Sequence, residues 1–300
     1  MNTKFARFMM STLLLPLLFT GPAFSAQQSL IDISTTYISS SKVDEAGNDV
    51  EVSQQITTIK GTLPMRLNAK NILMISPSYL HHELKWKNFQ TISGITESDL
   101  PDILHSAELA VGLVHRLSPK WSVMGRISGG VKSDYDDIDS RDVIYGGLVS
   151  LTRNFDRKNN IGLGVTYSDS FGSPFFFPLL MFKWAPIDNL FFHGTLPVLL
   201  TGGYKHSDKL SLGFNVEVKG NQYRLTEKMP WNESVLNYSE ILMGPFIDVS
   251  LGEKIRLMLK CGIVTGQKME FKDKYDTEKI LAEKDLEDST FATVSAYIPF

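Results

Sequence analysis

Apolar and polar residues alternate along much of this chain, in runs separated by turn-forming residues. In residues 121–132, Trp121, Val123, Gly125, Ile127, Gly129 and Val131 share one face, and Ser122, Met124, Arg126, Ser128, Gly130 and Lys132 share the other. The same period of two recurs in 159–168, 209–219 and 254–265, where Ile255, Leu257, Leu259, Cys261 and Ile263 oppose Lys254, Arg256, Met258, Lys260 and Gly262. Successive side chains of a strand point to opposite faces, so each run predicts a strand with one apolar face. Fourteen such segments emerge: 29–42, 50–63, 71–86, 104–117, 120–132, 142–154, 159–169, 176–186, 189–197, 199–205, 209–223, 235–251, 254–267 and 289–300. Pro197 and Gly202-Gly203 make 189–205 ambiguous between two short strands and one interrupted strand, which leaves twelve as the alternative count.

Soluble sandwiches alternate as well, so length and connections have to discriminate. These runs exceed the ~5–6 residues usual in globular sheets and suit the ~9–11 residues of a tilted strand crossing hydrocarbon. Tight connections such as Asn68-Ala69-Lys70-Asn71, Leu117-Ser118-Pro119-Lys120 and Asp156-Arg157-Lys158-Asn159 alternate with long ones near 43–49, 87–103, 133–141, 170–175, 224–234 and 269–288. Short turns at one end and long loops at the other describe a membrane barrel. The fold class expected is therefore all-β: a single transmembrane antiparallel up-and-down β-barrel of 12–14 strands. Trp86, Trp121, Tyr145, Tyr167, Trp184 and Trp231 lie near strand ends, where an interfacial girdle would place them.

The N-terminus supplies the route. Lys4 and Arg7 precede an apolar stretch from Phe8 to Phe19, Gly21-Pro22 breaks it, and Ala23-Phe24-Ser25-Ala26 offers small residues for cleavage. This predicts a signal peptide over residues 1–26 and a barrel over 27–300. A lone cysteine, Cys261, excludes an intramolecular disulfide framework, and a net charge of −3 gives no basic field for nucleic acid. No cofactor and no metal site is expected.

At the other end, Ala292, Val294, Ala296, Ile298 and Phe300 are apolar at every second position, and the chain ends on an aromatic. This strand resembles the terminal strand of outer-membrane proteins. The resemblance implies that Phe300 and Ile298 serve targeting and assembly by the barrel-assembly machinery in the outer membrane of a Gram-negative cell. A second resemblance rests on Lys183-Trp184-Ala185-Pro186, Leu196-Pro197, Tyr204, Leu210-Ser211-Leu212-Gly213 and Gly220-Asn221-Gln222-Tyr223-Arg224-Leu225. Over 176–225 the chain is similar to a family of bacterial outer-membrane β-barrels known only as a domain of unknown function, which implies the fold and adds no activity.

Charges of both signs fall on the polar faces: Glu108, Arg116, Arg126, Lys132, Lys183, Glu217, Lys219, Glu240, Asp248, Arg256 and Lys260. Facing lipid at the midplane, an Arg or Lys would cost ~2–4 kcal/mol, so all are expected to line the lumen. They fit either a hydrophilic pore or a neutralised, packed polar core. Asp134, Asp136, Asp137, Asp139 and Asp142 form an acidic loop able to collect divalent ions or bridge to lipopolysaccharide. In 276–287, Ile280, Leu281 and Leu286 fit one stripe of a short loop helix, or an ordinary solvated loop. His81-His82-Glu83 is a candidate base or ligand set, whereas His105-Ser106 and His206-Ser207 put neighbours on opposite faces of a strand and are not catalytic by spacing. Three functions follow from this inventory: a passive channel or uptake barrel for small solutes, a closed structural or surface-interaction barrel with ion-binding acidic loops, and a lipid-modifying enzyme.

Overall fold

A computed structural model describes residues 29–43, 50–88, 100–135, 138, 142–168, 175–225, 234–273 and 280–299. The signal peptide expected over 1–26, Phe300, Trp231 and three of the loop aspartates (Asp136, Asp137 and Asp139) lie outside the described residues.

The strands are β1 (Ser29–Lys42), β2 (Glu51–Gly61), β3 (Leu63–Arg66), β4 (Asn71–Lys87), β5 (Ile103–Arg116), β6 (Trp121–Ser133), β7 (Val143–Asn154) and β8 (Asn160–Ser168), followed by β9 (Phe175–Ile187), β10 (Leu190–Leu196), β11 (Leu199–Lys205), β12 (Leu210–Arg224), β13 (Ser234–Leu251), β14 (Ile255–Asp273), β15 (Ile280–Leu286) and β16 (Ser289–Pro299). β2 and β3 both pair with β4, and β15 and β16 both pair with β14, so each couple is one interrupted crossing. Each crossing pairs antiparallel with the next, and β1 closes on β16 from Ser29↔Pro299 to Ile38↔Phe291. The result is a closed antiparallel barrel of 14 crossings with no exposed edge.

Local chemistry explains the tight turns. Asn68 Oδ1 accepts from the backbone N–H of Lys70 and Asn71, both at 2.9 Å, and Asp156 Oδ1 does the same for Lys158 and Asn159 at 2.7 and 2.8 Å. Ser118 Oγ and Ser207 Oγ repeat the pattern toward Trp121 and Leu210. A short side-chain acceptor thus satisfies backbone donors that the ladder leaves behind. The ambiguity at 189–205 resolves as two strands: β10 and β11 pair in register around Pro197-Val198, with Val198 N–H donating to Thr195 O at 2.8 Å.

Three expectations are corrected. The segment read as a loop helix or solvated loop over 276–287 contains β15, paired with β14 from Gln267↔Leu286 to Lys272↔Ile280. Its neighbour β14 continues to Asp273, well past the limit at 267 set by the alternation. The reason is a bulge: pairing between β13 and β14 slips between Ser239 and Ile241, opposite Gly266, whose φ is +59°. One extra residue there reverses the faces, so Val264 and then Gln267, Met269 and Phe271 share one side and the sequence period is broken. Trp86, expected in the girdle, instead packs half-buried against a core cluster, its Nε1–H donating to Pro101 O at 3.2 Å.

Candidate functional site

Which face is the interior follows from contacts between strands that are not ladder neighbours. Gln54 of β2 donates to the Tyr238 hydroxyl of β13 at 2.7 Å, and the Tyr223 hydroxyl of β12 lies 3.5 Å from His82 Nδ1 of β4. Side chains on such strands meet only through the inside of a closed barrel. The other face carries an exposed apolar band, including Phe176 (75%), Ile127 (70%) and Leu163 (67%). An exposed apolar surface this continuous marks a membrane or partner contact rather than a water-facing wall.

Each charged residue singled out from the sequence alternates with that band. Glu108 sits beside Leu109, Arg126 beside Ile127, Lys183 beside Trp184, Asp248 beside Ile247, Arg256 beside Ile255 and Lys260 beside Leu259, all of them exposed apolar neighbours. Glu217 and Lys219 share the parity of Tyr223, and Glu240 that of Tyr238. Lys132 and Glu240 are buried, whereas Arg126 keeps 46% of its side chain exposed while its Nη2 lies 3.6 Å from Glu108. Asp248 is held by Arg256, whose Nε donates to both carboxylate oxygens at 3.1 Å, and by the Tyr297 hydroxyl at 2.8 Å. This clasp joins β13, β14 and β16 near the tight-turn end. Ile298, beside it, pairs with Ile31 of β1 at the seam.

The end bearing the long connections is closed. Val52, Leu84, Leu104, Tyr223, Leu225, Leu236, Tyr238, Met269, Phe271 and Leu286 form one buried cluster contributed by strands from opposite walls. Below it lies a buried polar layer. His82 Nε2 donates to Gln54 Oε1 at 2.7 Å, and Tyr238 donates to Glu240. Gln267 Nε2 donates to Ser41 Oγ and Ser289 Oγ at 3.0 and 3.1 Å. A second apolar layer of Ile38, Ile56, Leu242, Val264 and Phe291 follows. Backbone contact completes the closure, because Arg224 of β12 pairs in parallel with Ser133 of β6.

Toward the tight-turn end the interior becomes charged. Asp32 and Lys60 face each other across β1 and β2, and Asp32 also interacts electrostatically with Lys260 and Glu217. Lys183 and His193 are cross-strand partners, with Lys260 acting on the same imidazole. Asp32, Lys60 and His193 were missed in the sequence, where Asp32 and His193 each appear as a single ionisable residue beside apolar ones and Lys60 follows Thr57-Thr58-Ile59. The histidines do not assemble. His81 and His105 meet outside the barrel with tilted rings, centroids 5.1 Å apart, while His82 is buried inside, so His81-His82-Glu83 is not one ligand set. Tyr79 and Tyr135 flank His105, with the Tyr79 hydroxyl 2.8 Å from His105 Nδ1.

No curated protein matches the chain. Among solved structures, the fold is similar to a TodX monoaromatic hydrocarbon channel mutant (8% identity, 90% of this chain and 89% of that one, TM-score 0.38) and to the NanC porin (8%, 90% and 100%, 0.36). It is also similar to the translocator domain of the autotransporter NalP from Neisseria meningitidis (12%, 98% and 97%, 0.34). The model of a family described as Domain of unknown function (DUF6268) matches residues 23–296, and the protein belongs to that family.

Proposed function

We propose that this barrel sits in the outer membrane of a Gram-negative cell and acts as a passive channel or uptake barrel for small solutes, shut at its outer end in the state described. The apolar band and the closed ladder suit a lipid environment, where every backbone donor must find a partner within the protein. With both termini on the periplasmic side, the long connections and the closed end face outward. Outer-membrane lipid and lipopolysaccharide would surround the band, and Ile298 and Phe300 would present the final strand to the barrel-assembly machinery.

The observation that carries the reading is the contrast within one interior. Lys60, Arg126 and Lys183 stay exposed on the inward face, whereas Tyr223, Leu84 and Leu236 beneath the long connections are almost fully buried. A structural plug alone would not require a solvated, charged chamber behind it; a gated channel uses both. Fourteen crossings also enclose more space than the eight-stranded barrels whose side chains fill the interior.

Single-channel recording in planar bilayers tests this. The refolded protein should pass little current, and Tyr223→Ala, which empties the centre of the stopper, should open it. Silence from both would discard the channel and favour the second reading, a closed surface-interaction barrel, which the Arg224↔Ser133 closure also suits.

A further inference from the structure

We infer that the chamber selects small oxyanions, solutes carrying carboxylate, phosphate or sulfate, at an inward-facing cluster formed by Lys60, Lys183, His193, Lys219 and Lys260. This rests on the channel reading above and names what such a channel would pass.

The argument begins with which interior charges are already matched. Asp248 is occupied by Arg256 and Tyr297, and Glu108 by Arg126. Asp32 stands directly across from Lys60, and Glu217 is two residues from Lys219 on the same face. Lys183 is left over, and Lys260 shares Glu217 and Asp32 with Lys219 and Lys60. Lys183 stands across from His193, a second nitrogen base, while Lys260 stands across from Thr293 on one side and Phe246 on the other. Neither lysine forms a salt bridge among the described residues.

These two lysines converge. Lys183 is on β9 and Lys260 on β14, with β10, β11, β12 and β13 between them in the ring. Lys183 is the ladder neighbour of His193, whereas Lys260 acts on the same imidazole although β11, β12 and β13 separate their strands, so it does so across the lumen. Lys260 also interacts with Lys60, Lys219, Asp32 and Glu217, which places strands from both sides of the barrel around one region. Four lysines against Asp32, Glu217 and Glu240, the last of which interacts with Lys219, leave an excess of one positive charge, in a chain whose overall charge is −3. A low-dielectric wall concentrates that field on the lumen and raises the local concentration of ions of opposite sign. Lysine suits this role: its compact ammonium attracts oxyanions as a point charge without the fixed geometry of a guanidinium.

The experiment is a reversal-potential measurement across a potassium chloride gradient, on the full refolded barrel and on Tyr223→Ala, with inorganic phosphate then added as a blocker. The expected result is a chloride-over-potassium preference on the order of tenfold at low salt, shrinking at higher ionic strength, together with a chloride current that millimolar phosphate reduces. Lys183→Glu with Lys260→Glu should reverse the preference and abolish the phosphate block. The milder Lys183→Gln should weaken both, while Lys254→Glu at an exposed tight turn should change neither. Heat-modifiable migration in gels verifies that each variant is folded. Current with a potassium preference, or a chloride preference that survives the double charge reversal, overturns this inference and leaves the channel standing. Absence of current in both the parent and Tyr223→Ala overturns the channel and the inference together.

Discussion

Arg224 at the end of β12 and Ser133 at the end of β6 pair backbone to backbone, although β7, β8, β9, β10 and β11 separate their strands in the ring. Two walls that far apart touch only where the mouth is shut, so this contact should move if the mouth opens. Cysteines at the two positions, placed in a Cys261→Ala background, are close enough as bridge partners to be joined. Oxidation should abolish the current seen with Tyr223→Ala, and a reducing agent should restore it. Unchanged current through the oxidised, mass-verified disulfide form would mean that solute does not pass this contact.

Tyr238 and Glu240 meet inside the buried polar layer, where the second carboxylate oxygen of Glu240 has no partner. A buried charge stripped of a donor is costly, and hydrogen bonds to charged groups contribute about 1.5–3 kcal/mol. Tyr238→Phe should therefore lower stability by roughly that amount. Glu240→Gln, which removes the charge and keeps an acceptor, should cost clearly less. Urea unfolding midpoints in lipid vesicles would rank the two, and the reverse order would show that the tyrosine, not the carboxylate, depends on the pair.

Gly244 and Gly262 lie on neighbouring strands at a point of close backbone approach. A Cβ on Gly244 would fall 1.9 Å from Cys261 O, and one on Gly262 would fall 2.1 Å from Met243 O. Neither oxygen belongs to a flexible side chain, so the ladder itself would have to open. Gly244→Ala and Gly262→Ala should block assembly or sharply reduce the yield of heat-modifiable barrel. Gly125→Ala, with nothing within 4 Å of the added carbon, should assemble like the parent.

The sequence made the wall legible because the wall is periodic. Alternation located Ile127 and Leu259 outside and Arg126 and Lys260 beside them on the other face, and Asn68, Ser118, Asp156 and Ser207 marked the turns by their own capping chemistry. The family resemblance read over 176–225 extends over 23–296. What the sequence hid is what joins non-neighbouring strands. Leu84, Tyr223 and Tyr238 look like ordinary apolar positions near strand ends, and nothing in a single strand's pattern says that β2 and β4 meet β12 and β13 through the lumen. Asp32 and Lys60 were overlooked for the same reason: their weight comes from Lys260 and Glu217 on other walls. Trp86 shows the opposite error, since a tryptophan near a strand end suits both an interfacial girdle and the edge of a stopper.

Gly266 is where the periodic rule fails, and it gives the sharpest structural test. Its φ of +59° is a conformation that glycine adopts at little cost and that a side chain makes unfavourable by about 1–2 kcal/mol. The bulge at Gly266 turns Gln267, Met269 and Phe271 into the interior, where Met269 and Phe271 join the stopper and Gln267 reaches Ser41 and Ser289. Deleting Gly266 would remove the extra residue and leave an unbroken period of two, in which Gln267, Met269 and Phe271 still follow Val264 onto the inner face. The barrel below it, from Ile255 to Val264, keeps its pairing with β13 and β16. The deletion should therefore still assemble, migrate as a folded barrel and stay silent unless Tyr223→Ala is added, because its stopper keeps Met269 and Phe271. Gly266→Val should be less stable than the parent and remain closed, since it strains the bulge without removing it. A deletion variant that folds and conducts would show that the stopper depends on the bulge itself and not only on which side chains face inward.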